Sequence, residues 1–285
     1  MNPLFPLERA ALFFDGTFSE PRLAHPECVA VDAEGHIWCG GEHGEIYRIW
    51  RDGSKIELIA STGGFTLGIA FDAHGNLYSC DLKHAAVFRL NTATRQLETF
   101  ATGSAQRLIR IPNFPVVDAA RNCLYVSDSH DQKAPGPGVW RFDVLSGQGA
   151  LWYAEPMHFA NGMALSASGN ELYVVETFAH RISKIPIRAD GSAGSKEIFL
   201  QNLPCLPDGI AFDAEQNLYI ACYEPSRLYR VRPDGHMDLL IDDPDAHTLC
   251  HPTNCAFRGT TLFTANLGRW HITQVDVGVE GLQLL

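Results

Sequence analysis

The chain has 285 residues, 46% hydrophobic and 19% charged, enough to bury a sizeable core as one large all-β or α/β domain or as two smaller ones. Its 33 acidic and 22 basic residues give a net charge of −11, and no Lys/Arg run exceeds a pair, so nucleic acid and anionic membrane are excluded as main partners. The opening MNPLFPLERAALFF sets Glu8 and Arg9 where a secretory signal needs an unbroken apolar core. No later stretch approaches the length of a membrane span, so a cytoplasmic location is expected.

In chain order, ERAALFFDG reads as a strand, and after it one phrase recurs six times. The copies are PECVAVDAEGHIW from Pro26, TLGIAFDAHGNLY from Thr66, PNFPVVDAARNCLY from Pro112, ANGMALSASGNELY from Ala160, PDGIAFDAEQNLY from Pro207 and PTNCAFRGTTLF from Pro252. Their second positions are 27, 67, 113, 161, 208 and 253, at intervals of 40, 46, 48, 47 and 45 residues, which suits propeller blades or solenoid repeats. Each copy is a short apolar strand, a Gly- or Asn-bearing turn and a second strand (HIWCGG, NLYSCD, CLYVSD, ELYVVE, NLYIAC, TLFTAN). A third alternating segment follows most copies (EIYRIWRDG, AVFRLNTAT, GVWRFDVLSG), then an outer strand such as KIELIA or QLETFA.

Four strands per repeat and no amphipathic helix of the length a parallel sheet needs predict an all-β, six-bladed propeller filling residues 1–285 as one domain. ERAALFFDG is the natural outer strand for the last repeat, which stops soon after its third strand. After Ser129, HDQKAPGPG is the one long loop and is expected to overhang a mouth of the ring. Trp38, Trp140, Trp152 and Trp270 are expected to pack between blades. Eight cysteines (Cys28, Cys39, Cys80, Cys123, Cys205, Cys222, Cys250, Cys255) form no CxxC and no zinc-type Cys/His spacing, and read as small core residues in a reducing compartment.

Innermost propeller strands line a central channel, so the equivalent positions Glu27, Leu67, Asn113, Asn161, Asp208 and Thr253 are expected to form a ring. Four of them carry hard oxygen donors. Two carboxylates and two neutral amides match one divalent cation, Ca²⁺ foremost, with Mn²⁺, Fe²⁺ and Zn²⁺ as other choices. Asn and Asp also serve as turn formers, but Glu27 is a poor one, and Leu67 shows that the position does not demand polarity.

These residues resemble the senescence-marker-protein-30/gluconolactonase family of six-bladed propellers, also similar to diisopropyl fluorophosphatase and to drug-responsive lactonases. The resemblance is carried by HPEC around Glu27, IPNF around Asn113, ANGMALS with ELYVVET around Asn161, and LPDGIAFD with NLYIACY around Asp208. It implies that Glu27, Asn161 and Asp208 bind the metal, with Asn113 on the metal or on the substrate. It further implies lactone hydrolysis. The metal would polarise the carbonyl, with Asp208 as general base and Asp128, which matches an acidic position of the drug-responsive branch, as the rival base. Many sugar-lactone members carry an Arg two residues before the Asn equivalent to Asn113. Here Ile111 stands there, and Arg110 is one residue out of register.

Further substrate-binding candidates near the channel mouth are Arg110, His130, Glu176, Tyr223, Asn254 and Arg269. The expected partner is a small lactone. A phosphotriesterase on the same metal, a non-catalytic binding propeller and a strictosidine-synthase-like propeller are the competing readings. No GxSxG, HExxH or GxxxxGK[ST] motif is present.

Overall fold

The computed structural model describes residues 2–284, and Met1 and Leu285, the ends of the expected domain, lie outside the described residues. It is an all-β fold of six four-stranded antiparallel blades, the propeller arrangement that the repeat predicts. The first blade is β2 (Val29–Val31), β3 (Ile37–Gly40), β4 (Glu45–Ile49) and β5 (Ile56–Ser61). The second is β6 (Thr66–Phe71), β7 (Asn76–Asp81), β8 (Ala86–Asn91) and β9 (Gln96–Ala101). The third is β10 (Pro112–Asp118), β11 (Cys123–Asp128), β12 (Gly136–Asp143) and β13 (Gly149–Met157). The fourth is β14 (Ala160–Leu165), β15 (Glu171–Glu176), β16 (Arg181–Pro186) and β17 (Glu197–Leu200). The fifth is β18 (Leu206–Phe212), β19 (Leu218–Glu224), β20 (Arg227–Val231) and β21 (Met237–Asp242). The sixth, β22 (Pro252–Arg258), β23 (Thr261–Asn266) and β24 (His271–Asp276), is completed by β1 (Ala10–Asp15), as ERAALFFDG led one to expect.

The recurring aspartate of the phrase has a physical job. Asp32 Oδ1 accepts the Glu34 and His36 N–H groups, Asp72 Oδ1 those of His74 and Asn76, and Asp213 Oδ1 those of Glu215 and Asn217, all at 2.8–3.0 Å. One carboxylate oxygen thus fixes the hairpin between the first two strands of the blade. The other oxygen reaches the buried aromatic of the second strand: Trp38 Nε1 at 2.8 Å, Tyr78 Oη at 3.2 Å and Tyr219 Oη at 3.1 Å donate to Asp32, Asp72 and Asp213. The phrase therefore ties turn to core in a single residue.

Contacts group the chain into two compact units. One runs to Thr66 and resumes over Cys205–Gln283, holding the first, fifth and sixth blades; the other, Leu67–Pro204, holds the second, third and fourth. In the first unit the core lies between faces of neighbouring blades, with Val29, Ile37 and Tyr47 against Phe263, Ala265 and Ile272, and Tyr219 and Leu228 against Cys255, Leu262 and Val275. In the second, Tyr125 and Val139 pack with Met163, Leu172 and Val174. Each such buried side chain contributes about 1.5–3 kcal/mol of transfer free energy. The eight cysteines are free and buried, as core residues should be. Among the described residues no helix is long and apolar enough to cross a membrane.

Candidate functional site

Four of the six equivalent repeat positions share a local distortion. In β10, β14, β18 and β22 the pairing with the second strand shifts register across Pro112/Pro115, Ala160/Met163, Pro207/Ile210 and Pro252/Asn254. Asn113, Asn161, Asp208 and Thr253 all fall inside these bulges, where the strand leaves its partner and re-aims a side chain. Glu27 sits two residues before the first paired residue of β2, Val29. The four expected ligands divide between the units: Glu27 and Asp208 belong to the first, Asn113 and Asn161 to the second.

In the first unit the two carboxylates are neighbours in electrostatic terms. Burial pushes the Glu27 carboxyl well above the ordinary carboxylate range, and the charge of Asp208 pushes it further. Glu27 Oε2 is cut off from solvent and has no hydrogen-bond partner among the described residues. Its backbone is held from below, because the Thr253 hydroxyl donates to the Glu27 carbonyl at 2.7 Å. Asp208 is seated by Gly209, where a Cβ would come within 2.6 Å of Asn254 Cα and 2.8 Å of Thr253 O, so β18 approaches β22 more closely than any other residue permits. Asn254 is buried, with Oδ1 3.5 Å from the Val29 N–H. Tyr223 stacks on His251 with centroids 4.9 Å apart. Its phenol is pushed up by burial and then by the charges of Glu27, Glu224 and Asp208. Arg269 lies beside the Cys250 thiol.

In the second unit the two amides are oriented by hydroxyls. Ser129 Oγ spends its one hydrogen on the Ala160 carbonyl at 2.8 Å, so the Asn113 group facing it at 3.0 Å must be the NH₂. Asn161 donates likewise to Thr177 Oγ1 at 3.1 Å. Each amide is thereby pinned through nitrogen, and no hydrogen bond engages either Oδ1 among the described residues. The sequence reading missed Ser129 and Thr177. Aligning the second strands past their ends (YVSDS, YVVET, YIACY) would have shown hydroxyl residues Ser129, Thr177 and Tyr223 recurring beside the three bulges.

Several expected site residues are already engaged by neighbouring groups. Asp128, the rival base, is 2% exposed and accepts four N–H groups: Ile111 and His130 on Oδ1 at 2.9 and 3.0 Å, Arg110 and the Trp140 indole on Oδ2, both at 3.1 Å. With both oxygens committed, it braces the entry to β10. Glu176, expected to touch substrate, is fully buried and holds the His158 N–H, Arg181, Ser183 and Lys196 at 2.9, 2.5, 2.6 and 3.0 Å. Burial alone would raise its carboxyl, but the Arg181 and Ser183 bonds, His158 N–H and Lys196 charge overturn this and lower it to about 2. Arg110 and His130 engage each other, Nη1 to Nε2 at 3.1 Å, with Asp131 3.7 Å from Arg110.

Among the described residues no group of three or more His, Cys, Asp or Glu side chains is gathered for a metal. Any cation at Glu27 and Asp208 would therefore complete its shell with neutral oxygens, the donor set of a hard ion. The residues fit such an ion, because an unpartnered buried carboxylate oxygen beside a second carboxylate is costly until positive charge neutralises it.

A profile described as SMP-30/Gluconolactonase/LRE-like region matches residues 41–266, most of the chain, and one described as Strictosidine synthase-like, N-terminal, matches 18–49. Protein STRICTOSIDINE SYNTHASE-LIKE 6 of Arabidopsis thaliana is 28% identical over 217 residues, 70% of this chain and 56% of that protein. The chain spans about half the length of the curated relatives it matches, between 40% and 56% for three of them. Among solved structures, a gluconolactonase from Xanthomonas campestris superposes with a TM-score of 0.77 at 20% identity, over 95% of this chain and 89% of that one. A calcium-binding regucalcin from Agrobacterium tumefaciens gives 0.77 at 18% identity, over 99% and 97%. Identities this low speak for the fold.

Proposed function

We propose, for a chain that belongs to the SMP-30/gluconolactonase/LRE-like family, that it hydrolyses a sugar lactone or another small lactone with the help of one divalent cation, Ca²⁺ foremost. The observation that carries the reading is the buried, unpartnered Glu27 Oε2 beside the charge of Asp208. Repeat register, not distance, adds Asn113 and Asn161 to the ligand set.

A bound cation would supply Lewis acidity toward the lactone carbonyl and would lower the pKa of water. The chain's own part is to orient and to move one proton. Asp208, held in its bulge by the close packing at Gly209, takes the proton from the attacking water. The amides of Asn113 and Asn161 keep one protonation state throughout and present Oδ1 because their nitrogens are pinned. Tyr223 offers a half-buried ring within electrostatic reach of Glu27 and Asp208, against which the ring of a small lactone packs. We assign the base to Asp208 over Asp128 because Asp128 would first have to release an N–H donor.

A phosphotriester could use the same polarisation. The strictosidine-synthase-like relatives favour a second reading, a strictosidine-synthase-like propeller that would not require the full set of Glu27, Asn113, Asn161 and Asp208. The deciding experiment follows hydrolysis of aldonolactones and simple γ- and δ-lactones by pH change, with metal-stripped protein, with Ca²⁺, Mn²⁺ or Zn²⁺ restored, and with Asp208→Ala. Turnover that needs the metal and is lost in Asp208→Ala is expected. Turnover indifferent to stripping would overturn the metal dependence, and metal binding without turnover of any lactone would overturn the lactonase reading.

A further inference from the structure

Four of the six blades repeat a ladder on one face, and one blade keeps only half of it. The third strand carries a base opposite an acid on the fourth strand: Arg48 with Glu57 at 2.8 Å in the first blade, Arg89 with Glu98 at 2.5 Å in the second, and Arg230 with Asp238 at 3.1 Å in the fifth. In the fourth, Lys184 faces Glu197 at 3.5 Å and takes Glu171 at 3.0 Å as well. The sixth blade has Gln274 opposite Ala11, so base and acid are absent together. The third blade alone keeps the base and loses the acid, because Arg141 lies opposite Ala150.

The consequence is local. Among the described residues Arg141 hydrogen-bonds no carboxylate; its nearest polar partner is the Cys123 thiol, with the Tyr125 phenol and the charges of Asp118 and Asp143 acting on it without a bond. The aspartate that would anchor Tyr125, by analogy with Asp72 and Asp213, is Asp118, and it is drawn to Arg121 at 2.8 Å. The buried Tyr125 hydroxyl is left with the Cys123 thiol beside it and no aspartate bond among the described residues, within the fields of Arg141 and Asp118.

Where other blades place a glutamate or aspartate, Gly149 and Ala150 leave space. A Cβ on Gly149 would meet Phe142 Cδ1 at 2.2 Å and Arg141 O at 2.4 Å, so the strand start must stay bare. The result is a cavity of about 580 Å³ between the third and fourth blades, lined by Arg121, Arg141, Gln148, Trp152 and Ser192 among others. Arg121 is already held by Asp118, Gly169 O and Asn170. Asp143, also in the lining, turns Oδ1 to the Ser146 N–H and hydroxyl. The Trp152 indole N–H is spent on Gly191 O at 2.8 Å, which leaves its ring as an apolar wall.

We propose that this cavity is a second binding site, for a small organic carboxylate that takes the place of the missing fourth-strand acid on Arg141. The guanidinium fork matches a carboxylate in two parallel bonds, the Gln148 amide can donate to a remaining lone pair of that carboxylate, and Trp152 covers its carbon skeleton, while the Ser192 hydroxyl in the lining is spent on Asp190 Oδ1 at 2.7 Å. The site lies within the second unit and depends on neither the metal nor the lactone reading.

Calorimetric titration with succinate, and separately with inorganic phosphate at the same ionic strength, tests it on the full chain, on Arg141→Gln and on Ala150→Glu. The last substitution restores the cross-strand pair of the other blades and should melt no lower than the parent. Saturable succinate binding that weakens at least tenfold in both variants is expected. Absence of succinate binding to the parent chain, equal affinity in all three chains, or binding of phosphate without succinate would each overturn the proposal.

Discussion

Two pairs of buried carboxylates stand beside the innermost strands of this propeller, and they are treated in opposite ways. Asp128 and Glu176 are each saturated, the first by four N–H donors and the second by an arginine, a lysine, a serine and a backbone N–H. Glu27 and Asp208 repel each other, and one Glu27 oxygen is buried with no partner. The saturated pair holds the scaffold. Glu27, beside the charge of Asp208, carries a deficit that a cation would remove, and such deficits mark sites where stability has been given up for function.

The contrast breaks most visibly at Glu176. Glu176→Ala leaves Arg181 and Lys196 without their shared carboxylate, and a loss of about 3–5 kcal/mol is expected in denaturant unfolding. The sign with pH follows from a lowered carboxyl. Its stabilisation is fully present above the ordinary value of 4.5 and is lost as pH falls toward about 2, so the parent chain should weaken over that window and the variant should respond less.

Glu27→Gln should do the reverse. Replacing a carboxyl whose ionisation is opposed by burial and by Asp208 should stabilise the metal-stripped chain by about 1–2 kcal/mol while abolishing the rise in melting temperature on adding Ca²⁺. A stripped variant less stable than the stripped parent would dissolve the contrast. The smallest effect is expected at Ser129→Ala, about 1 kcal/mol for the bonds to Ala160 and Asn113, with weaker Ca²⁺ binding because the Asn113 amide is free to turn.

The blades were legible in the sequence because they are written in a repeat of six copies, and the closing role of β1 because the last copy stops one strand short. What was not legible is which acid is satisfied. The partners of Glu176 lie at 158, 181, 183 and 196, and those of Asp128 at 110, 111, 130 and 140, off the repeated phrase and on other strands or loops. Asp128 and Glu176 end their strands as a site carboxylate would, so the motif alone could not separate brace from base. The broken ladder at Ala150 was, by contrast, available from the sequence: KIEL, QLET, EIFL and MDLL each carry an acid where the third outer strand reads GALW.

The pairing of β1 with β24 sets Ala10 against Val275, so the sixth blade is assembled from the two extremes of the chain. A growing polypeptide carries β1 as an unpaired edge through the synthesis of five other blades, and that blade forms only after residues 271–276 have emerged. Among the described strand pairings this one joins the residues farthest apart in sequence, so its loop-closure cost is the largest. Circular permutation that moves β1 behind β24 would turn that closure into a local hairpin.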